Sequence, residues 1–208
     1  MSYLKVLNPN DPQLHKPGDL VGLKEIRTIE FQKTIESMLN FVYGKSNKGN
    51  NRIINKPTTV GLSANQVGIN KRISIVDLGV GHKNYNDLQV LINPEIYWYS
   101  KTVIKRSEGC VNLPEIWGSV LRSKRIKVRA LDRSGNHIQL DITGWPAILL
   151  QHEVDHLNGL LFIDRLENPK KAFKVKDAQL REFKKHKTEW TYFTDVTHLV
   201  NKHLIKNL

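Results

Sequence analysis

The sequence predicts an α+β fold, with short strands joined in part by a hairpin, a central helix and a further helix near the C-terminus. Three observations carry this prediction. Short runs rich in β-branched residues, 72–77 and 88–92 among them, are joined by polar connections. An apolar run, 145–150, enters a helix through Gly144, Trp145 and Pro146, and Gly159 stands where that helix would end. Lysines surround Phe173, Leu180 and Phe183 over 170–187, the pattern of a basic amphipathic helix.

In chain order, 6–16 contains Pro9 and Pro12 and reads as an extended arm lying on the domain. Residues 23–43 predict a helix whose buried face is Ile35, Met38, Leu39 and Val42, with Gly44 to end it. The stretch 45–56 is rich in Asn, Lys and Gly and reads as an exposed loop. Small residues crowd Gly61, Ser63 and Ala64 ahead of the Gln66 amide; they would let backbone approach a ligand closely, with Gln66 as a donor. The bland alternative, which the segment alone favours, is a turn and helix start with an exposed Gln66. Strands follow at 72–77 and 88–92, linked by a polar connection, and Pro94 comes after the second. A further strand is expected over 96–105, and Gly109 and Pro114 bracket a turn. Over 125–132, Ile126, Val128 and Ala130 alternate with Lys127 and Arg129, a half-buried strand that turns at 132–135 and returns over 137–142. Beyond the basic helix, apolar residues from Val196 to Leu204 have the spacing of a second short helix.

At 208 residues the chain suits one domain. Its 39% hydrophobic and 25% charged residues are ordinary for a soluble globular protein. No run of about 18 apolar residues is present, so no membrane association is expected. The first residues form neither an apolar signal core nor an Arg/Ser-rich transit segment, and a cytoplasmic monomer is the expectation. The lone Cys110 excludes an internal disulfide and leaves three readings, inert core residue, nucleophile or metal ligand. Half of the net charge of +12 lies in 165–208, where 11 Lys/Arg face 5 Asp/Glu. That excess suits either a solvated surface or a polyanionic partner such as RNA or the ribosome. No stacking motif or zinc knuckle accompanies it, which argues against sequence-specific reading of nucleic acid.

The central helix carries the chemistry. Within 151–156, His152 and His156 stand four residues apart, so they project from one face, one turn apart. Both imidazoles can reach one metal ion, and Glu153 can handle the proton of a metal-bound water. The bland alternative is two surface histidines with a salt-bridging glutamate. A third ligand is needed. Cys110 offers the only thiolate, which suits Zn2+ or Fe2+; Asp164 or Glu167 would serve a metallopeptidase arrangement. Three protein ligands leave a position for water, which separates a catalytic site from a structural one.

Three segments, in order, resemble those of the peptide deformylases: Gly61-Leu62-Ser63-Ala64-Asn65-Gln66, Glu108-Gly109-Cys110-Val111-Asn112 and Gln151-His152-Glu153-Val154-Asp155-His156. The resemblance implies that Cys110, His152 and His156 bind one divalent metal ion, natively Fe2+, with Zn2+ or Ni2+ as replacements. It implies a substrate, the N-formylmethionyl nascent peptide, and products, formate and a free N-terminus. Glu153 would be the acid/base, and Gln66 with the Val111 backbone N–H would stabilise the tetrahedral oxyanion. Gly61 would bind the peptide as an added strand. Val60, Leu62, Gly109, Trp145, Ile148 and Leu149 would contribute to the substrate site, and Glu108 would hold the metal-site loop. The resemblance also implies the architecture, antiparallel β-sheets packed around the metal-binding helix.

Departures from the family pattern fall at Thr59, Ser63 and Val111-Asn112, the last where Leu-Ser is usual. Arg106 and Trp117 stand near the expected pocket mouth, where relatives often have an apolar residue and an Arg. The expected organisation is a catalytic domain over 1–168 and a basic helical extension over 169–208, packed on that domain or protruding from it. The resemblance allows that extension a ribosome contact through Lys170, Lys171, Lys174, Lys176, Lys184, Lys185 and Lys187. The rival from another class is a catalytically silent, deformylase-like ribosome-binding protein, against which the intact Glu153 and Gln66 argue.

Overall fold

The computed structural model describes residues 4–43, 59–81 and 87–200. The expected loop 45–56 and the helix stop Gly44 lie outside those residues. So does most of the connection 79–87.

The N-terminal arm lies on the domain, with Leu14 fully buried and the Leu7 N–H donating to the Gln66 carbonyl at 2.9 Å. The single helix expected over 23–43 is two, α1 (Leu23–Ile26) and α2 (Ile29–Val42). Thr28 causes the break: its hydroxyl accepts from the Phe31 N–H and caps a new helix. α2 buries Phe31, Ile35, Met38 and Val42, a stripe at helical spacing.

That stripe packs on one face of a five-stranded antiparallel sheet. Its strands are β1 (Gly61–Ser63), β2 (Ile73–Asp77), β3 (Leu88–Tyr99), β6 (Arg125–Leu131) and β7 (His137–Thr143), in the order β1-β2-β3-β6-β7. Leu62, Ile73, Ile75 and Ile92 meet α2 in one core cluster. The second sheet contains β4 (Val103–Cys110), β5 (Leu113–Ser123), β8 (Ala172–Lys174) and β9 (Phe193–Thr194) in the order β4-β5-β8-β9. Between the sheets runs α3 (Trp145–Leu157), buried from Pro146 to Leu157. Its Leu149, Leu150 and Val154 pack with Val76, Leu91 and Ile126 of the first sheet.

Three expectations are corrected. The strands expected at 88–92 and 96–105 are one strand as far as Tyr99, running through Pro94. Register shifts between Ile92 and Glu95 and between Ile96 and Trp98 accommodate the proline, which can donate no ladder bond. The turn expected between Gly109 and Pro114 is confined to Val111 and Asn112, and Cys110 pairs with Leu113 across it. The third correction concerns the tail. A C-terminal helix is present, but it is only α4 (Leu180–Lys185); 172–174 add a strand to β5 instead. Strand pairing there buries Ala172 and Val175, positions that the helical reading left among the lysines. The second helix expected from Val196 is one 3-10 turn, Thr197–Leu199, before the described residues end.

Candidate active site

β1, β4 and α3 bring the predicted residues together. On β1, alternate residues face opposite ways. Gly61 and Ser63 face α3, and a Cβ at Gly61 would collide with the Glu153 carboxylate and Leu149. Glycine is therefore what lets β1 approach the catalytic helix. Leu62, expected on the substrate wall, points to the other face and is fully buried against α2.

Cys110, His152 and His156 converge, each with a ligand atom within 4.8 Å of the others. The His156 Nε2 lies 3.2 Å from the His152 Nε2 and 3.3 Å from the Cys110 Sγ. Two imidazole lone pairs and a sulfur aimed at one point repel one another unless a cation lies between them. The His152 Nδ1 is 2.9 Å from Glu108 Oε2, which fixes the proton on that nitrogen and leaves Nε2 as a ligand atom. Nitrogen, nitrogen and sulfur donors suit a borderline divalent cation, with one tetrahedral position left over.

Behind these residues lies a buried ionic network that no local sequence signal marks. Arg122 donates to Glu108 at 2.8 and 2.9 Å and also to Asp155. Arg165 donates to Asp155 at 2.6 Å. Burial opposes the ionisation of Glu108, but the Arg122 charge and its bonds, with help from His152, hold that carboxyl at about 2. Burial also opposes the Arg122 charge, and Asp155 and Glu108 outweigh it. His152 is raised despite its burial, by Cys110 and Glu108, whereas burial and the charges of His152 and Arg122 lower His156. Glu153 is raised by burial, with His152 and Ser63 acting against the shift. The Ser63 hydroxyl lies 2.7 Å from Glu153 Oε2 and orients that carboxylate.

Gln66 is held in place. Its Oε1 accepts from the Ser63 N–H at 2.7 Å, and its Nε2 donates to Asn112 Oδ1 at 3.0 Å. Nε2 also lies 3.3 Å from the Cys110 Sγ, so the amide faces the centre of the site. Asn112, 1% exposed, donates in turn to the carbonyls of Leu7 and Gln66. Sequence reasoning noted Asn112 only as a departure; here it ties the arm, the Gln66 amide and the metal-site turn together. Asn112→Ala is expected to lower kcat by about tenfold or more with metal content unchanged, as is usual for groups that orient a site. Steady-state kinetics with metal analysis checks this; unchanged kcat would rule the role out.

The site opens into a cleft of about 880 Å3. Val60, Gly61, Gln66, Gly109, Val111, Trp145, Ile148 and Leu149 line it beside Cys110, His152 and Glu153. Ile148 and Leu149 are buried and form its inner wall, while Val60, Trp145 and Val111 are partly exposed at its mouth. Leu62 is not among the lining residues.

Two imidazole nitrogens and a thiol sulfur that could hold one metal ion, with a buried carboxylate beside them and a cleft in front, fit a metal-dependent hydrolase. The family model described as Polypeptide deformylase matches residues 3–172. Peptide deformylase 2 of Gloeobacter violaceus is 36% identical, over 81% of this chain and 90% of its own length. The crystal structure of peptide deformylase from Thermotoga maritima matches with TM-score 0.67 and 34% identity, over 80% of this chain and 99% of that one. A Met-Ala-Ser-bound peptide deformylase from Acinetobacter baumannii matches with TM-score 0.67 and 29% identity, over 79% and 99%. The chain belongs to the polypeptide deformylase family. It is a metal-dependent hydrolase that removes the N-formyl group from nascent peptides.

Proposed function

We propose that Cys110, His152 and His156 hold a single divalent cation, natively Fe2+ with Zn2+ or Ni2+ able to substitute, and that Glu153 is the acid/base for hydrolysis of N-formylmethionyl peptides. The observation that carries this reading is the convergence of three ligand atoms within 4.8 Å beside a carboxylate only 2% exposed. When bound, the cation would supply Lewis acidity toward a water molecule and the formyl oxygen. Glu153 takes the proton that the attacking water loses and hands it to the leaving amine nitrogen. Burial favours its protonated form midway through that cycle. The Gln66 amide and the Val111 N–H stabilise the negative oxygen that develops on the formyl carbon. The peptide adds as a strand alongside β1, and the edge position of β1 in its sheet supports this. Its methionine side chain enters between Val60, Val111, Trp145, Ile148 and Leu149, with Gly109 beside it.

Formate release from formyl-Met-Ala-Ser by anaerobically prepared, iron-loaded protein tests the reading. Absence of release with metal bound would sink it. Cys110→Ala separates it from a His-Glu-x-x-His metallopeptidase that takes its third ligand elsewhere. Loss of the thiolate is expected to remove stoichiometric metal after dialysis; retention of one equivalent would support the peptidase arrangement.

We take 1–168 as the catalytic unit and 169–208 as an addition to it, which the reach of the family match, 3–172, supports. We take the protein as a cytoplasmic monomer acting on nascent chains; among the described residues no helix is long and apolar enough to cross a membrane. A ribosome contact through Lys170, Lys171, Lys174, Lys176, Lys184, Lys185 and Lys187 has their charge as its support. Replacing the exposed Lys170, Lys171, Lys174, Lys176 and Lys185 by Gln is expected to weaken ribosome co-sedimentation at low salt. Equal sedimentation of the variant and the parent protein would reject the contact.

A further inference from the structure

The outer end of the substrate cleft is built by the C-terminal segment. Asp177, Leu180, Lys184 and Lys187 line it opposite Arg106 and Trp117. All four lie beyond residue 172, where the family match ends. The segment is anchored there by aromatic packing. Phe183 is fully buried, with ring centroids 5.7 Å from Trp117, 5.4 Å from Phe173 and 5.5 Å from Trp190. This packing places Leu180 and Lys184 of α4 on the cleft lining.

Three cations gather at that end. The Arg106 guanidinium lies 4.4 Å from the Trp145 ring centroid, and Lys184 Nζ lies 5.5 Å from that of Trp117. An aromatic face positions a cation without neutralising it. Among the described residues, none of Arg106, Lys184 and Lys187 is in an ion pair, although eight Lys/Arg–Asp/Glu pairs occur elsewhere. Carboxylates are available on the same lining. Glu108 is committed to Arg122 and His152, and Glu153 to Ser63. Glu115 and Asp177 lie more than 4.0 Å from all three cations, since neither forms an ion pair with them. Burial lowers the pKa of Lys187, and the nearby charges of Arg106 and Lys184 lower it further. The outer cleft therefore carries three unpaired cations against two carboxylates, Glu115 and Asp177, a net positive charge.

We propose that Arg106, Lys184 and Lys187 form a carboxylate-binding subsite for the part of the peptide downstream of its formylated residue, so that the C-terminal segment sets substrate preference. This rests on the deformylase reading of the same cleft. The carboxylate could be an acidic side chain or the α-carboxylate of a short peptide; the chemistry is shared, and the substrates separate the two.

The test uses metal-loaded, full-length protein and two peptide pairs. Formyl-Met-Ala-Asp-amide against formyl-Met-Ala-Asn-amide reads the side chain. Formyl-Met-Ala-Ser as free acid against its amide reads the terminus. The carboxylate member of at least one pair is expected to have kcat/KM about five- to tenfold higher, expressed in KM and reduced by salt. In a Lys184→Gln/Lys187→Gln variant the ratio should fall to about one. The Lys184→Arg/Lys187→Arg variant should keep it, which separates charge from mere disturbance of α4. Ratios near one in both pairs, or a ratio that survives the glutamine variant, would overturn the proposal. Calorimetric binding of the product peptides Met-Ala-Asp-amide and Met-Ala-Asn-amide decides the subsite independently of turnover. Formate release without a carboxylate preference rejects the subsite alone. A binding preference without any formate release rejects the deformylase reading alone.

Discussion

Glu153→Gln is expected to lower kcat for formate release by about 10^2–10^4-fold, the range for removal of a general acid/base, while metal content stays at one equivalent. Glutamine keeps the volume of the side chain and an oxygen that can accept from the Ser63 hydroxyl, now 2.7 Å from Glu153 Oε2. The packing against β1 should therefore survive, including the close approach that Gly61 permits. What is lost is the basic oxygen. A glutamine amide cannot take the proton from the attacking water or return one to the leaving amine. None of the three proposed ligand side chains is altered, so the metal should remain. Single-turnover kinetics, metal analysis and thermal melting together check the prediction. A kcat within about threefold of the parent, with metal and stability intact, would show that another group moves the proton.

The second large effect is on stability. Arg122→Met is expected to destabilise the fold by about 3–5 kcal/mol, because it leaves buried carboxylates without their partner. Arg122 is 4% exposed and spans Glu108 and Asp155, which are 8% and 4% exposed. Methionine approximates its stem but supplies none of its donors, and Arg165 then remains as the sole arginine on Asp155. Glu108 would lose the charge that holds it at about 2 and would hold the His152 ring less firmly. Metal affinity should fall with stability, unlike in the Glu153 variant. Urea unfolding of the metal-free protein measures the first effect and competition with a chelator the second. A change below about 1 kcal/mol would mean that water reaches the two carboxylates and that the network contributes little.

The parts of the site that are local in sequence are the parts that sequence reasoning reaches. His152, Glu153 and His156 share a helix, and helical spacing alone sets their common face. The hairpin 125–143 was legible for the same reason, because alternation and a turn at 132–135 are short-range signals. Leu62 shows the limit of motif reading. It lies inside a functional segment, yet strand alternation sends it into the core behind the site. The ionic network was invisible because Glu108, Arg122, Asp155 and Arg165 come from separate elements, and nothing in the neighbourhood of Arg122 marks it as the link.

By itself the sequence determined the central helix, its two imidazoles and its carboxylate, the lone thiol that can complete the set, and the deformylase resemblance of three ordered segments. Only the tertiary structure decided how the thiol meets the imidazoles, through the pairing of β4 with β5 that carries Cys110 to α3. It also decided the fate of the basic tail. Lysine-rich 170–187 has the pattern of one amphipathic helix, but the free edge of β5 offers hydrogen bonds to 172–174, and Trp117 offers Phe183 a surface to bury against. Those partners are more than fifty residues away in sequence, and no local periodicity encodes them. The pairing energy and aromatic burial outweigh helix propensity, so the tail becomes a strand and one wall of the cleft rather than a free helix.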